Sequence, residues 1–380
     1  MSPEQLRQLA TKIEKLSLKE AKGHLDHPED LIFLDGTQGA NRAVQATVNT
    51  VKNPSAVTIK WDGYPALIFG RGPNGKFSIM DKHMFNKKDL SGRQVFSPEQ
   101  FVKYDRDRGV DRSGLHQLIS EIWPGLSKAD SSKGYYWGDL LFSQPLQDQN
   151  GMYKFRANPN GITYTVETNS EVGELFKGKQ AGIVVHQFIP AGAATTDEAT
   201  PLDGTIGSLK NNSNVAIVPA KMPNTPKLAL NNNLVKKAQS AISKYGQSVD
   251  QLLNNAPQAA ATFRGLFTTY INKKIVAGDL NDLVDGFMEY FNSRPMTDTM
   301  RAKLTQHLEQ NKEGLVGAFT IWAALYELKM SIVDQLNKAA EASPVKGYLQ
   351  DGTQTQEGFV SNGLKFVDRM GFSRQNLAGR

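Results

Sequence analysis

The sequence predicts an α+β protein in which an all-α module is inserted into a domain of antiparallel sheets with flanking helices. Two changes of composition predict it. From about residue 57 to 219, short β-rich runs alternate with Gly, Pro, Asn and Asp, whereas from about 231 to 342 apolar residues recur at helical spacing. After Ser343-Pro344 the chain returns to strand and turn composition. The helical module therefore interrupts the β-rich domain.

Short strands and a few helices are predicted within the β-rich part. The predicted strands cover residues 57–60, 66–71, 77–81, 135–142, 153–155, 162–166 and 182–188. Because few residues separate them, they cannot be joined by regular βαβ crossovers, and we expect mostly antiparallel pairing. Helices are predicted over 97–105 and 113–123. The alternating charges of residues 105–112 indicate a solvated face, and residues 191–205 form the best candidate for a mobile loop.

The insertion is predicted to contain five or six helices. Breaks in its apolar periodicity fall at Gly246, Pro257, Gly278 and Pro295. Beyond the insertion, Asn362-Gly363 between apolar runs predicts a hairpin, which must join the earlier sheet because a lone hairpin cannot bury its apolar face. The predicted segments are an N-terminal helical segment at 1–52, the β-rich domain at 53–230, the helical insertion at 231–345 and the return to the β-rich domain at 346–380.

Composition excludes several classes of site. The 380 residues contain no cysteine, which excludes disulfides, thiolate metal sites and a cysteine nucleophile. Of the six histidines only His24 and His27 lie close together in sequence, so a structural zinc site is not expected and Mg²⁺ held by Asp or Glu is the plausible metal. The net charge of +6 permits a polyanionic partner without demonstrating one.

The sequence predicts no membrane segment. Residues 1–22 are polar and charged, with apolar residues at helical spacing, which indicates an amphipathic helix and no secretory signal. The most apolar stretch, residues 314–328, is too short to cross a bilayer and is followed directly by Lys329. We therefore expect a soluble protein of the cytoplasm.

The segment around Lys60 is the most informative for chemistry. Lys60 ends a β-rich run and is followed by the tight turn Asp62-Gly63. A lysine is a poor nucleophile at its ordinary pKa of roughly 10.4, because the ammonium group has no free electron pair. A position beside other cations or a metal lowers the pKa and frees the amine. The alternative interpretation is a surface lysine before a hairpin turn.

Three further segments accompany it. Asp139 interrupts an aromatic and apolar strand, where a carboxylate is costly unless it contacts a ligand, a metal or a partner. Residues 179–188 form a buried-type strand that carries His186 near its end. Near the C-terminus follow Glu357-Gly358-Phe359-Val360 and then residues 365–369. Each segment alone is explained by a sheet, but their order is informative.

In that order, the segments resemble the covalent nucleotidyltransferase superfamily, the polynucleotide ligases and messenger RNA capping enzymes. Lys60-Trp61-Asp62-Gly63 is similar to the K-x-D-G motif, whose lysine forms a phosphoramide bond with a nucleoside monophosphate. Gly138-Asp139 looks like the Gly-Glu strand motif that contacts ribose or a metal. Residues 182–188 lie where the nucleobase-stacking motif falls. Glu357 to Val360 looks like the E-G-h-V motif, and Lys365 resembles the lysine that grips the α-phosphate.

Two positions depart from the family pattern. Pro65 stands where an arginine is usual, and Val367 stands where a second lysine is usual. Lys82 and Arg369 are the candidates to supply the missing charge. The whole chain also resembles uncharacterised tailed-phage proteins that share the K-W-D-G block and a terminal Phe372-Ser373-Arg374.

The resemblance implies a ligase-type nucleotidyltransferase fold, ATP and Mg²⁺ as cofactors, and the 5′-phosphate end of a nucleic acid as partner, in the host cytoplasm if the protein is phage-encoded. Lys60 is the implied nucleophile. The implied nucleotide-binding residues are Asp62, Gly63, Lys82, Asp139, His186, Lys365 and Arg369, and the implied metal ligands are Glu357 and Asp139.

The alternatives are a fold that has lost catalysis and acts in phage binding or assembly, and transfer of the nucleotide in capping or to a protein. The oligomeric state is left open.

Overall fold

The computed structural model describes residues 25–61, 63–89, 91–157, 162–202, 206, 209, 214–222, 224–257, 260–349, 351–356 and 358–373. These residues group into two compact units. The sheet unit comprises the described residues within 58–222 and 343–356, and the helical unit those within 26–57, 224–342 and 358–373. Residues 26–57 and 358–373 therefore group with the helices, whereas the prediction assigned 346–380 as a whole to the β-rich domain. The helix predicted at residues 1–22 lies outside the described residues.

The secondary structure is mixed, with mostly antiparallel sheets, as predicted. The α-helices are α1 Leu31–Lys52, α2 Lys82–Phe85, α3 Pro98–Asp107, α4 Ser113–Ala129, α5 Glu171–Phe176, α6 Asn232–Asn254, α7 Ala260–Ala277, α8 Leu283–Ser293, α9 Asp298–Gln310 and α10 Lys312–Glu341. The strands are β1 Thr58–Ile59, β2 Ala66–Arg71, β3 Phe77–Met80, β4 Gly134–Phe142, β5 Met152–Arg156, β6 Thr163–Glu167, β7 Ala181–Pro190, β8 Thr200–Pro201, β9 Val215–Pro219, β10 Val345–Tyr348, β11 Gln354–Thr355, β12 Phe359–Ser361 and β13 Leu364–Phe366.

The larger sheet of the sheet unit carries the main core. Its strands follow the order β3-β2-β4-β7-β8, and β9 pairs with β7 in parallel. Apolar side chains of α3 and α4 share one buried cluster with the strands. The cluster includes Phe101, Ile119, Ile122 and Leu126 from the helices and Leu67, Phe69, Ile79 and Ile183 from the sheet. This packing fixes the strands that carry the candidate site.

A second sheet of the unit has the order β11-β10-β6-β5. β10 lies beyond the helical insertion in sequence and pairs with β6 in the register Val345↔Val166. The chain thus returns to this unit after the helices.

One prediction for a surface segment of the sheet unit is wrong. Asp105, expected on a solvated face, is fully buried because two arginines and a histidine bind its carboxylate. In the candidate mobile loop 191–205, of which residues 191–202 are described, Ala193 and Thr196 make hydrogen bonds to other parts of the sheet unit, and mobility stays a prediction. The side-chain amide of Asn86 donates to Thr196 Oγ1 (2.9 Å), the Thr196 N–H donates back to Asn86 Oδ1 (2.9 Å), and the Arg93 guanidinium donates to the Ala193 carbonyl (2.6 Å).

The helical unit is built around α10. This helix is long and apolar enough to span a membrane by length and composition, but 61% of its most apolar stretch is buried. It is therefore a core helix. The ring of Phe319 on this helix belongs to an aromatic cluster with Phe33, Phe267 and Phe287. The break predicted at Gly246 is wrong, since α6 continues through this residue, and a Cβ there would lie 2.7 Å from Thr37 Oγ1.

The predicted C-terminal hairpin is present as β12 and β13. Asn362 and Gly363 form its turn with φ angles of 52° and 71°, the left-handed conformations that a two-residue hairpin turn requires. Within the helical unit the hairpin is attached to α1, because the Thr50 hydroxyl donates to Ser361 Oγ (2.9 Å) and the Asn362 amide donates to the Ala46 carbonyl (3.2 Å).

A buried ionic cluster joins distant parts of the helical unit. Lys329 Nζ lies 2.7 Å from Glu29 Oε1, and Trp322 Nε1 donates to Asp30 Oδ1 (2.9 Å). Arg369 Nη1 binds Asp30 Oδ1 (2.8 Å) and lies 3.3 Å from Glu29 Oε1. These charges are almost inaccessible to water, so each depends on its partners for compensation.

Candidate active site

The loop between β1 and β2 carries Lys60, and its first end is fixed by the larger sheet. The Ile59 N–H, directly before Lys60, donates to the Ala220 carbonyl (2.7 Å). The Ala220 N–H in turn donates to the carbonyl of Val185 (3.0 Å), the residue before His186. The backbones that lead to Lys60 and to His186 are therefore both joined to Ala220.

Trp61 fixes the other side of Lys60. Its side chain is buried, and its ring centroid lies 4.9 Å from that of Tyr164 on β6. The residue before Lys60 is thus held by the larger sheet and the residue after it by the second sheet. Lys60 itself is half-buried.

The second half of the same loop is hydrogen-bonded to β4. The Tyr64 N–H donates to the Leu140 carbonyl (2.9 Å), and the Leu140 N–H donates to the Pro65 carbonyl (3.1 Å). These bonds bring Gly63 so close to β4 that a Cβ on it would lie 2.6 Å from Asp139 Cβ. A residue without a side chain is therefore required at position 63.

His186 occupies a β-bulge that directs its side chain toward Asp139. Trp137 pairs with Gln187 and Gly138 with Val185, so His186 is the extra residue on β7. Its Nε2 lies 3.5 Å from Asp139 Oδ2, and both side chains are partly exposed. The His186 ring centroid lies 5.7 Å from that of Trp137.

Lys82 completes the group at the start of α2. Its ammonium nitrogen lies 5.4 Å from the centroid of the Trp137 ring, a cation–π distance. Trp137 is thus flanked by Lys82 and His186, and it lies two positions before Asp139 on the same strand. Sequence reasoning overlooked Trp137. The available signal was its spacing of two from Asp139, which places both on one face of a strand.

Residues 22–380 match a family described as "Family of unknown function (DUF6267)". The chain belongs to the DUF6267 family. No curated protein and no solved structure matches the chain.

In this DUF6267 protein, Lys365 lies on β13 of the helical unit. Its backbone N–H donates to the Asp26 carbonyl (2.9 Å). Burial lowers the pKa of the Lys365 ammonium, and Arg369 lowers it further, against the opposing effect of Asp26. Such a lysine loses its proton more readily than an exposed one, but its nucleotide-binding role stays a prediction.

The nucleotide-binding role predicted for Arg369 requires correction. Its side chain is 2% exposed and its guanidinium is bound by Glu29 and Asp30, while its Nη2 donates to Asn272 Oδ1 (2.7 Å). With its charge compensated inside the helical unit, Arg369 stabilises that unit and presents no guanidinium to a phosphate.

The two remaining predicted residues, Asp62 and Glu357, lie outside the described residues. Among the residues that the structure describes, no three Asp, Glu or His side chains come together to hold a metal. Mg²⁺ is commonly bound by one or two carboxylates together with substrate phosphates, so the partly exposed Asp139 carboxylate has suitable chemistry for it.

The close approach at Gly63 gives a testable prediction. Gly63→Ala is expected to destabilise the sheet unit by about 1–3 kcal/mol, because the added methyl group must displace the loop from β4. Urea denaturation followed by circular dichroism measures the change. Gly114→Ala on α4 is the matched control, since a Cβ there meets nothing within 4 Å. Equal stabilities of the two variants would contradict the prediction.

Proposed function

We propose that this protein is a polynucleotide ligase-like nucleotidyltransferase that uses ATP and Mg²⁺ and forms a covalent lysyl-AMP intermediate on Lys60. One observation carries the proposal. The loop of the K-x-D-G block is hydrogen-bonded to β4, so that Gly63 lies against Asp139. Two of the four segments whose order suggested the superfamily thus lie side by side, although Gly63 and Asp139 are 76 positions apart in sequence. On the same ground we propose a ligase-type fold for the sheet unit.

The proposed first step is an in-line displacement at phosphorus. The unprotonated amine of Lys60 attacks the α-phosphorus of ATP and forms an N–P bond, while its proton passes to solvent. The bond from the α-phosphorus to the bridging oxygen breaks, and pyrophosphate leaves with the electron pair. An oxygen of a nucleic acid 5′-phosphate then attacks the α-phosphorus, the N–P bond breaks, and Lys60 leaves as an amine that takes up a proton. The oxygen of a 3′-hydroxyl finally attacks the 5′-phosphorus, its proton passes to solvent, and AMP leaves with the electron pair.

The neighbours of the loop provide the binding groups for this reaction. The Lys82 ammonium is a positive charge held at the Trp137 ring, suited to a phosphate group. His186, at its bulge, lies beside Asp139 and faces the same site. Asp139 would hold Mg²⁺ together with the nucleotide phosphates, and the ion neutralises charge on the phosphoryl oxygens.

Partner and location follow from the same proposal. A nucleic acid with a 5′-phosphate end is the proposed acceptor, and the net charge of +6 is compatible with it. The site of action would be the cytoplasm, that of the host if the protein is phage-encoded.

A second candidate function is a binding or assembly protein that has lost catalysis. Pro65 and Val367 favour it, because both replace residues that the superfamily uses for catalysis, and Val367 is buried. The two candidates differ in whether Lys60 becomes nucleotidylated.

Covalent labelling tests the proposed function. After incubation with Mg²⁺ and ATP labelled at the α-phosphate, the wild-type protein is expected to keep label through denaturation, stable in alkali and released by acid. Lys60→Ala is expected to reduce the label to background, because no amine remains to form the N–P bond. Lys88→Ala, which removes an exposed lysine of the same unit, is the control and keeps the label. Absence of label with every nucleoside triphosphate would refute the enzyme and favour the binding protein.

A further inference from the structure

A buried carboxylate on α3, that of Asp105, is linked through two arginines to Asp81, the residue before Lys82. Asp105 is fully buried, and its oxygens accept hydrogen bonds from Arg108 Nε (2.9 Å) and Arg112 Nε (2.9 Å). His116 Nε2 lies 2.8 Å from Asp105 Oδ2. Burial alone would raise the pKa of Asp105, but the hydrogen bonds from His116 and the two arginines outweigh it and hold the pKa below its ordinary value. Asp105 is therefore charged at neutral pH.

The two arginines extend this arrangement to Asp81. Arg108 Nη2 lies 2.7 Å and Arg112 Nη2 2.9 Å from Asp81 Oδ2. The other oxygen, Asp81 Oδ1, accepts the Met84 N–H (2.7 Å) and caps α2. Both oxygens of Asp81 are thus engaged. We call the group of Asp81, Asp105, Arg108, Arg112 and His116 the aspartate clamp.

Asp81, one member of the aspartate clamp, directly precedes Lys82 in sequence. Lys82 is the first residue of α2, and α2 has a single turn, which is too short to be stable without its cap and its packing. The start of α2, and with it the backbone position of Lys82, therefore depends on the Asp81 cap. The charge-assisted hydrogen bonds from Arg108 and Arg112 hold the Asp81 carboxylate more strongly than neutral hydrogen bonds would.

We propose that the aspartate clamp positions Lys82 at the Trp137 ring, where the ammonium binds a phosphate group of the nucleotide, and that Asp105 is the positioning residue at its centre. The inference rests on the proposed function for the identity of the ligand. The inference goes beyond the proposed function because it assigns a role to five residues that lie outside the K-x-D-G loop and its facing strands.

The test is a double-mutant cycle between Asp105 and Lys82. Asp105→Asn is expected to raise the KM for ATP in self-labelling by roughly tenfold or more, because a small displacement of a binding group is costly. In a Lys82→Ala background, the same substitution is expected to change KM less than twofold. Asp107→Asn is the matched control, since Asp107 lies on the same helix, is exposed and pairs with the exposed Lys103. A similar increase in both backgrounds, or none in either, would overturn the proposal.

A second readout does not depend on nucleotide chemistry. Acetic anhydride acetylates lysines at a rate that mass spectrometry reports site by site. Asp105→Asn is expected to raise the acetylation rate of Lys82 relative to Lys88 at least threefold, and Asp107→Asn to leave the ratio unchanged. If the wild-type protein takes no nucleotide label, the proposed function is refuted. The ratio of the Lys82 and Lys88 acetylation rates then tests the role of the aspartate clamp without nucleotide. An unchanged ratio would overturn it.

If Asp105→Asn does not fold, Asp81→Asn takes its place in both measurements. Asparagine is a comparable helix cap, so α2 keeps its start while the charge that holds the two arginines is lost. An Asp81→Asn variant with wild-type KM and wild-type Lys82 acetylation would overturn the proposal as well.

Discussion

Lys329→Met is expected to lower the free energy of unfolding of the helical unit by about 3–5 kcal/mol. Lys329 is fully buried on α10, with its ammonium 2.7 Å from Glu29 Oε1. Burial lowers the pKa of Lys329, while Glu29 opposes this effect. Methionine fills a similar volume but leaves the Glu29 carboxylate with Arg369 as its remaining cation in the cluster, at 3.3 Å. Urea denaturation followed by circular dichroism measures the change.

Two further variants sharpen this prediction. Lys338→Met removes an exposed lysine from the same helix and is expected to change the stability by less than about 0.5 kcal/mol. Glu29→Gln combined with Lys329→Met is expected to recover part of the loss, because the uncompensated carboxylate is removed as well. A Lys329→Met protein as stable as Lys338→Met would show that the buried charges are not coupled as described.

Phe267→Ala is expected to destabilise the helical unit by about 3–5 kcal/mol. The ring is fully buried on α7 and stacks on Phe33 at 5.1 Å and on Phe287 at 4.7 Å between centroids. Its removal leaves a cavity that these rigid rings cannot fill, so the cost exceeds the transfer free energy of the ring. Thermal and urea denaturation measure the loss.

Val276→Ala is the control for the aromatic cluster, since Val276 lies on the same helix and is 39% exposed. We expect a change below about 1 kcal/mol for it. If both variants lost equally little, Phe267 would not lie at the centre of the core, and the described packing of α7 would be refuted.

Most of the strands could be predicted because alternation and turn residues are local signals. Each strand predicted between 57 and 188 lies within two residues of its observed bounds. The predicted break at Gly246 failed because a glycine inside a helix looks like a terminator, whereas here it admits the Thr37 side chain from α1. Short-range sequence signals carry no information about such a neighbour, more than 200 residues away.

The motif residues of the candidate site could be predicted from the sequence, but the contacts that position them could not. Lys60, Gly63 and Asp139 are recognisable as motifs, yet the bulge that turns His186 toward Asp139 depends on strand register, which the sequence does not display. Arg369 was misassigned for a similar reason. Its partners Glu29 and Asp30 lie about 340 residues away in sequence. The sequence therefore contains no sign that the charge of Arg369 is compensated by a buried ion pair.

The pairing of β10 with β6 has a consequence for biosynthesis. About 180 residues separate the two strands, and the intervening helices are made before β10 leaves the ribosome. Until then the edge of β6 lacks this partner, and a bare strand edge invites pairing with other chains. Trp61, beside Lys60, packs on Tyr164 of this strand. The support of the candidate active site is therefore completed only after the helical insertion has been synthesised.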